Sequence, residues 1–271
     1  MKYCRFLLDD QPHYGVVEDR NQESWIVDLA RAPEEDLDFR LIHGRSTSWS
    51  FSFEPMPLSA ADLLAPATPS KIICVGRNYR DHAKELGNEA PAEPLLFFKP
   101  PSSLLNPGGV VRIPAASSRV DFEGELALVI ARPVRNLNPQ DWRSAIRGLT
   151  LANDVTARDL QKKDAQWTRA KGFDTFCPVG PIVSDELDLE AGLTLETRVN
   201  GELRQHASTL DFIFSIPTLL ACITAAMTLE PGDLILTGTP SGVGPLQPGD
   251  KVEVTIPGLG VLSNTVQPDA A

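Results

Sequence analysis

The sequence predicts a mixed, β-rich α+β fold, a roll of short strands with a small β-rich domain at its N-terminus. Three observations carry that expectation. Short apolar segments bounded by Pro, Gly or Asn recur along the chain. Helical periodicity of useful length appears in one place only. A proline-rich break, Leu63-Leu64-Ala65-Pro66-Ala67-Thr68-Pro69-Ser70, separates two regions of different texture, so the expected domains are 1–68 and 69–271. At 271 residues, with 42% hydrophobic and 23% charged residues, the chain is long enough and apolar enough for a full-sized core.

The elements follow in order. Residues 5–8, 14–17 and 25–29 are apolar segments separated by polar turns such as Glu18-Asp19-Arg20-Asn21, which reads as hairpins. Past the break, 71–75 is a strand that stops at Gly76. Residues 81–86 carry helix formers and end at Gly87, a C-cap signal for one or two turns. The segments 95–98, 120–131, 147–153, 181–183, 193–199, 233–237, 251–255 and 260–265 read as strands. Ser215 can cap a helix in which Ile216, Leu219, Leu220, Ile223 and Met227 recur at three- and four-residue intervals, closing before Pro231-Gly232.

Composition excludes several classes of function. The net charge is −11, from 25 basic and 36 acidic residues, and no lysine or arginine run offers a stripe for phosphates. Nucleic acid and anionic membrane are therefore not expected partners. No apolar run approaches the roughly 18 residues that span a bilayer, and MKYCRFLLDDQPHYG does not read as a secretory signal. Cys4, Cys74, Cys177 and Cys222 are scattered without a C-x-x-C pair. That argues against a zinc cage or disulfide framework and for a reducing compartment, with cytoplasm expected.

The chemistry concentrates in a few motifs. In Val120-Asp121-Phe122-Glu123-Gly124-Glu125 the acids alternate, so as a strand they share one face. With Asp154, which follows another apolar strand, Glu123 and Glu125 make three hard oxygen donors that suit Mg²⁺ or Mn²⁺ better than zinc. The same spacing also fits a solvated edge strand. Asp121 lies nearer the polar stretch and reads as a flanking or surface residue paired with Arg119. His82 and Glu85, three apart on a short helix, can meet, and a histidine oriented by a carboxylate can take a proton from water. An ordinary exposed helix is the alternative. Three carboxylates and one divalent ion leave a charge of about −1, so an anionic substrate would need cations, and Lys171 and Arg158 are nearest in sequence. Residues 236–244 form a glycine-rich turn without the G-K-[ST] ending of a nucleotide loop. Its backbone N–H groups or the Thr239 hydroxyl could meet a carboxylate.

Taken together, Gly76-Arg77-Asn78-Tyr79 with His82 and Glu85, Phe98-Lys99-Pro100, Asp121-Phe122-Glu123-Gly124-Glu125-Leu126, Asn153-Asp154-Val155-Thr156-Ala157-Arg158-Asp159, Lys171-Gly172-Phe173-Asp174 and Thr237-Gly238-Thr239-Pro240 resemble the fumarylacetoacetate hydrolase family, in its order, over residues 71 to about 265. The resemblance implies a β-roll catalytic domain, a homodimer, and Mg²⁺ or Mn²⁺ on Glu123, Glu125 and Asp154. It implies a lid carrying His82 and Glu85, with Arg158, Gln161, Lys171 and Thr239 holding an oxo-acid or diketo-acid substrate. Residues 1 to about 68 resemble the small extra domain of longer bacterial members. The expected activity is metal-dependent hydrolysis of a C–C bond in an acylpyruvate or related β-diketo acid through an enolate, as in aromatic catabolism. Isomerisation of 2-hydroxyhepta-2,4-diene-1,7-dioate, or oxaloacetate decarboxylation or tautomerisation, would use the same site. A retired enzyme would lack a ligand or a dyad member, and none is missing; a two-metal phosphate hydrolase would need a second ligand cluster. Trp167, Phe173 and the loop 87–94 are the residues expected to select the substrate's distal group.

Overall fold

Strand alternation in the middle of the chain sets the architecture. Leu126, Leu128 and Ile130 pack into one buried cluster while Ala127 and Val129 pack into another, so the Gly124–Ile130 strand is covered on both faces. The same division holds for Ile73 and Val75 against Ile72 and Cys74. The computed structural model describes residues 1–21, 23–31, 53–85, 87 and 89–269. Residues 32–52 of the N-terminal region, Leu86 at the end of the expected helical turn, and residue 88 of the 87–94 loop lie outside the described residues.

Across the large sheet the strands run in the order Met56–Pro57, Glu23–Ala30, Gln11–Arg20, Lys2–Leu8, Cys177–Ser184, Ile146–Asn153, Gly124–Ile130, Leu234–Leu236, Ile72–Gly76 and Leu95–Lys99. Neighbours are antiparallel except Leu234–Leu236 beside Ile72–Gly76. The N-terminal strands thus extend the same sheet, through Lys2 and Tyr3 against Ser184 and Val183. A second sheet, Glu202–Ser208, Thr194–Val199, Lys251–Ile256, Gly260–Pro268 and Val110–Ile113, packs with helix α4 (Ile216–Ala226) on one face of the first. On the other face Tyr3, Val179 and Val183 meet Val129, Leu234 and Leu236, so the large sheet curls around its own core. No helix among the described residues is long and apolar enough to cross a membrane.

Three short helices complete the frame of the site: α1 (Arg80–Glu85), α2 (Arg158–Lys163) and α3 (Thr168–Lys171). Gly87 ends the α1 turn at φ +70°, its N–H donating to Lys84 O. Two local expectations change. The expected strand 120–131 is two strands, because Val120–Phe122 leaves to pair with Thr156–Ala157 and Gly244–Pro245, and the chain breaks at Glu123. Ser215 stands at the N-terminus of α4, but its hydroxyl bonds Thr218 Oγ1 at 2.9 Å instead of capping a backbone N–H.

Candidate metal centre and active site

The site forms where two antiparallel strands end together. Gly124 pairs with Asn153 and Glu125 with Ala152, so the chain leaves the sheet side by side before Gly124 and after Asn153. The Asp154 N–H donates to Glu123 O at 2.8 Å, and Asn153 Oδ1 accepts from the Glu123 N–H at 2.9 Å. These bonds bring together carboxylates that are far apart in sequence. Oxygens of Glu123, Glu125 and Asp154 lie within 4.8 Å of one another, and all three residues are buried. Gly124 lets the second sheet approach from behind, since a Cβ there would fall 2.1 Å from Thr197 Oγ1.

Cations surround two of the three acids. Lys171 Nζ donates to Glu123 Oε2 at 2.8 Å and to Asp154 Oδ2 at 2.5 Å. Lys99, closing the Leu95–Lys99 strand and 1% exposed, donates to Asp154 Oδ1 at 2.7 Å and Val155 O at 3.1 Å. Arg158 donates to Glu123 Oε1 at 2.6 Å, to Asp121 Oδ2 at 3.0 Å and to Gln161 Oε1 at 2.7 Å. Asp121 also takes two bonds from Arg119, as the sequence reading expected, but it is fully buried and no surface residue.

Glu125 makes no ion pair among the described residues, and its Oε2 accepts from the Gly238 N–H at 2.6 Å. Burial, then the neighbouring Asp154 and Glu123, push its carboxyl well above the usual carboxylate range. Burial acts the same way on Glu123, but Lys171, Arg158 and His82 outweigh it and hold Glu123 below that range. Burial lowers the Lys171 ammonium, yet Asp154 and Glu123 more than offset it, so Lys171 keeps its proton.

This donor set fits a hard divalent cation. Three carboxylates converge in a buried space, no sulfur or imidazole belongs to the cluster, and one of them, Glu125, makes no ion pair among the described residues. Metal binding requires Glu125 ionised, so affinity for Mn²⁺ should climb with pH, and binding below the raised Glu125 value should release a proton. Without metal the sign reverses. The stability contributed by protonated Glu125 is present at low pH and is lost as pH rises through its raised value. Calorimetric titration in two buffers of different ionisation enthalpy measures the release, and identical heats would contradict it.

Lys99 carries a second expectation. Replacing it with Met leaves Asp154 less compensated, so the metal-free protein should lose about 3 kcal/mol of stability, at the low end for a broken buried pair because Lys171 remains. Urea unfolding in EDTA and in Mn²⁺ checks this. Mn²⁺ should restore part of the loss, and an equal loss in both would count against a metal at Asp154.

The remaining expected residues can now be placed. His82, on α1, is 4% exposed and borders the same cavity of about 260 Å³ as the triad, room enough for a small metabolite. Its Nδ1 lies 3.2 Å from Glu85 Oε2, and Glu85 Oε1 accepts from the Gly242 N–H at 3.0 Å. In the neutral tautomer whose Nδ1–H donates to Glu85, Nε2 carries the lone pair. Arg158, Gln161, Lys171 and Thr239 border the cavity too. The Thr239 hydroxyl donates to Gly124 O at 2.9 Å and accepts from Gln205 Nε2 at 2.8 Å, so its proton is engaged in supporting the strand. Trp167 lines the cavity; Phe173 packs instead on Phe176, ring centroids 5.2 Å apart, and no described residue of 87–94 reaches the lining. Burial pushes the Cys177 thiol up to about 12 and raises Cys74 likewise, so neither is a nucleophile at neutral pH.

Three site residues had no role in the sequence reading. Lys99 lies in Phe98-Lys99-Pro100, and its signal is a charge closing an apolar strand. Asn78 donates to Thr237 O and accepts from the Phe214 N–H. Gln205 ties the Gly124 N–H to Thr239 and Pro240 O. It comes from the Glu202–Ser208 strand, which Asn200-Gly201, a hairpin turn signal, could have revealed.

The model of the fumarylacetoacetate (FAA) hydrolase C-terminal family matches residues 71–267, and that of the Rv2993c-like N-terminal family matches residues 1–66. Protein Rv2993c of Mycobacterium tuberculosis is 50% identical over 219 residues, 80% of this chain and 83% of that protein. Oxaloacetate tautomerase YisK of Bacillus subtilis is 46% identical over 223 residues, 77% of this chain and 74% of that one. The crystal structure of 2-hydroxyhepta-2,4-diene-1,7-dioate isomerase from Mycobacterium marinum superposes with a TM-score of 0.85 at 40% identity, covering 100% of both chains.

Proposed function

The chain belongs to the fumarylacetoacetate hydrolase family, and from that premise we propose that it catalyses metal-dependent enolisation of a small 2-oxo dicarboxylate, interconverting the keto and enol forms of oxaloacetate or a close analogue. The observation that carries this reading is the charge balance. Asp121, Glu123, Glu125 and Asp154 are matched by Lys99, Arg119, Arg158 and Lys171. Glu123, Glu125 and Asp154 with a divalent ion leave −1, Arg158, Lys171 and the buried Lys99 bring the sum to +2, and Arg119 cancels Asp121, so the loaded site carries the charge that suits a dianion. The names of the similar tautomerase and isomerase also contain diacids.

Mg²⁺ or Mn²⁺ held by Glu123, Glu125 and Asp154 would supply Lewis acidity to the 2-oxo group. Lys171 stays protonated beside Glu123 and Asp154 and can share the negative charge that develops on the enolate oxygen. Gln161, its Oε1 occupied by Arg158, has its NH₂ left to donate to a substrate carboxylate. His82, held by Glu85 through Nδ1, can take the C3 proton on Nε2 as the enolate forms and return it when the keto form is restored, the proton of the enol hydroxyl coming from or going to water.

The His82–Glu85 pair also supports hydrolysis of an acylpyruvate, in which His82 would take a proton from the water that attacks the distal carbonyl. Isomerisation of the dienedioate would pass through a dienolate, and decarboxylation of keto oxaloacetate would release carbon dioxide and leave the enolate of pyruvate, so both would place negative charge on the same 2-oxo oxygen. A panel of oxaloacetate, an acylpyruvate, fumarylpyruvate and 2-hydroxyhepta-2,4-diene-1,7-dioate, with EDTA and with Mg²⁺ or Mn²⁺, separates these. We expect oxaloacetate tautomerisation to be fastest. Faster C–C cleavage of the acylpyruvate would turn the assignment to hydrolase.

A further inference from the structure

We propose that Arg77 is a specificity-determining residue that binds the distal carboxylate of a dianionic substrate, an inference that rests on the 2-oxo diacid reading above. Arg77 borders the cavity that holds the carboxylate triad. The other arginine there, Arg158, is tied to Asp121, Glu123 and Gln161, Lys171 is tied to Glu123 and Asp154, and Lys162, also on the lining, is exposed to solvent where Arg77 is half-buried. Arg77 makes no hydrogen bond or ion pair among the described residues. A half-buried guanidinium facing a ligand-sized space is held there with its five donors unspent.

The backbone adds a separate reason. Arg77 stands at φ +57°, a left-handed conformation that glycine or asparagine adopts with little strain and arginine does not. Its neighbours are Gly76 and Asn78, yet the strained position carries the cation. The conformation is enforced from one side. Asn78 donates to Thr237 O at 2.8 Å, accepts from the Phe214 N–H at 2.8 Å, and its carbonyl accepts from the Ile213 N–H at 2.7 Å. Of the described non-glycine residues at positive φ only Arg77 borders this cavity, and strain held in place by surrounding bonds at a cavity wall points to a functional constraint. Arg77 also joins the Ile72–Gly76 strand to α1, so the group that would bind the far end of the substrate shares a segment with His82. Planar bidentate pairing makes arginine selective for a carboxylate over a methyl group.

The test compares oxaloacetate with 2-oxobutyrate, which carries a methyl where oxaloacetate carries its distal carboxylate. Each competes against oxalate on the Mn²⁺-loaded protein, read by calorimetry, in the parent, Arg77→Leu, Arg77→Lys and Arg77→Gly. Arg77→Leu should weaken oxaloacetate by about 10- to 100-fold and leave oxalate and 2-oxobutyrate nearly unchanged, with Arg77→Lys recovering part. In EDTA, Arg77→Gly should melt at or above the parent temperature, because it relieves strain, whereas a residue kept for stability would melt lower. A parent that prefers oxaloacetate, with Arg77→Leu keeping that preference or losing all three ligands equally, overturns the assignment of Arg77. A parent with no preference for oxaloacetate overturns the diacid reading itself, and the assignment with it.

Discussion

Glu125→Gln should lose metal binding and turnover together while the metal-free fold stays intact. In the metal-free protein Glu125 is buried, pushed toward its protonated form, and bonded to the Gly238 N–H without a cation partner. A glutamine has the shape and charge of that neutral form and keeps a carbonyl oxygen for Gly238, so urea unfolding in EDTA should be close to that of the parent. With metal the comparison changes, since one of three anionic donors is gone. Outer partners of metal ligands are worth about 10- to 100-fold in affinity, so loss of a ligand should cost at least about 10²-fold in Mn²⁺ affinity and about 10³-fold in turnover. Glu123→Gln should differ, because it leaves Arg158 and Lys171 short of a negative partner and should destabilise the fold as well. If Glu125→Gln bound Mn²⁺ like the parent, the triad would not be the metal site.

His82→Ala should lower the rate by about 10²- to 10⁴-fold, the range of a positioned general base, with Mn²⁺ affinity nearly unchanged. The separation follows from the geometry: His82 shares the cavity with the triad but is not part of the carboxylate cluster. Glu85→Gln gives a companion result. Its amide can donate to Nδ1 while its oxygen still accepts from Gly242, which moves the ring proton to Nε2 and removes the base without removing the ring. A His82→Ala enzyme that tautomerises at the parent rate would take the pair out of the mechanism.

How much of this was legible in the sequence depended on whether a local pattern decided the matter. Glu123, Glu125 and Asp154 were legible because alternation and strand ends are local, and antiparallel pairing of Gly124 with Asn153 did the rest. Continuity of the apolar pattern hid the break at Glu123, which arises because Val120–Phe122 pairs with distant strands. Lys99 was visible as a residue but not as a buried one. Its burial depends on Phe176 and on the path of Val155, which no pattern around residue 99 contains. Gln205 depended on the approach of the second sheet over Gly124, a contact between segments far apart in the chain. The left-handed φ of Arg77 has no sequence signal, because the residue that adopts it is neither glycine nor asparagine.

The measurement that tests the central claim most directly is the rate at which the enol form of oxaloacetate is converted to the keto form, followed by the decay of enol absorbance. It would be made with the parent protein in Mg²⁺ or Mn²⁺, again after EDTA, and again after the ion is restored. The expected result is acceleration over the buffer rate that EDTA abolishes and the restored ion returns. Acceleration insensitive to EDTA, or none with either ion, would contradict a metal-dependent enolising site built on Glu123, Glu125 and Asp154.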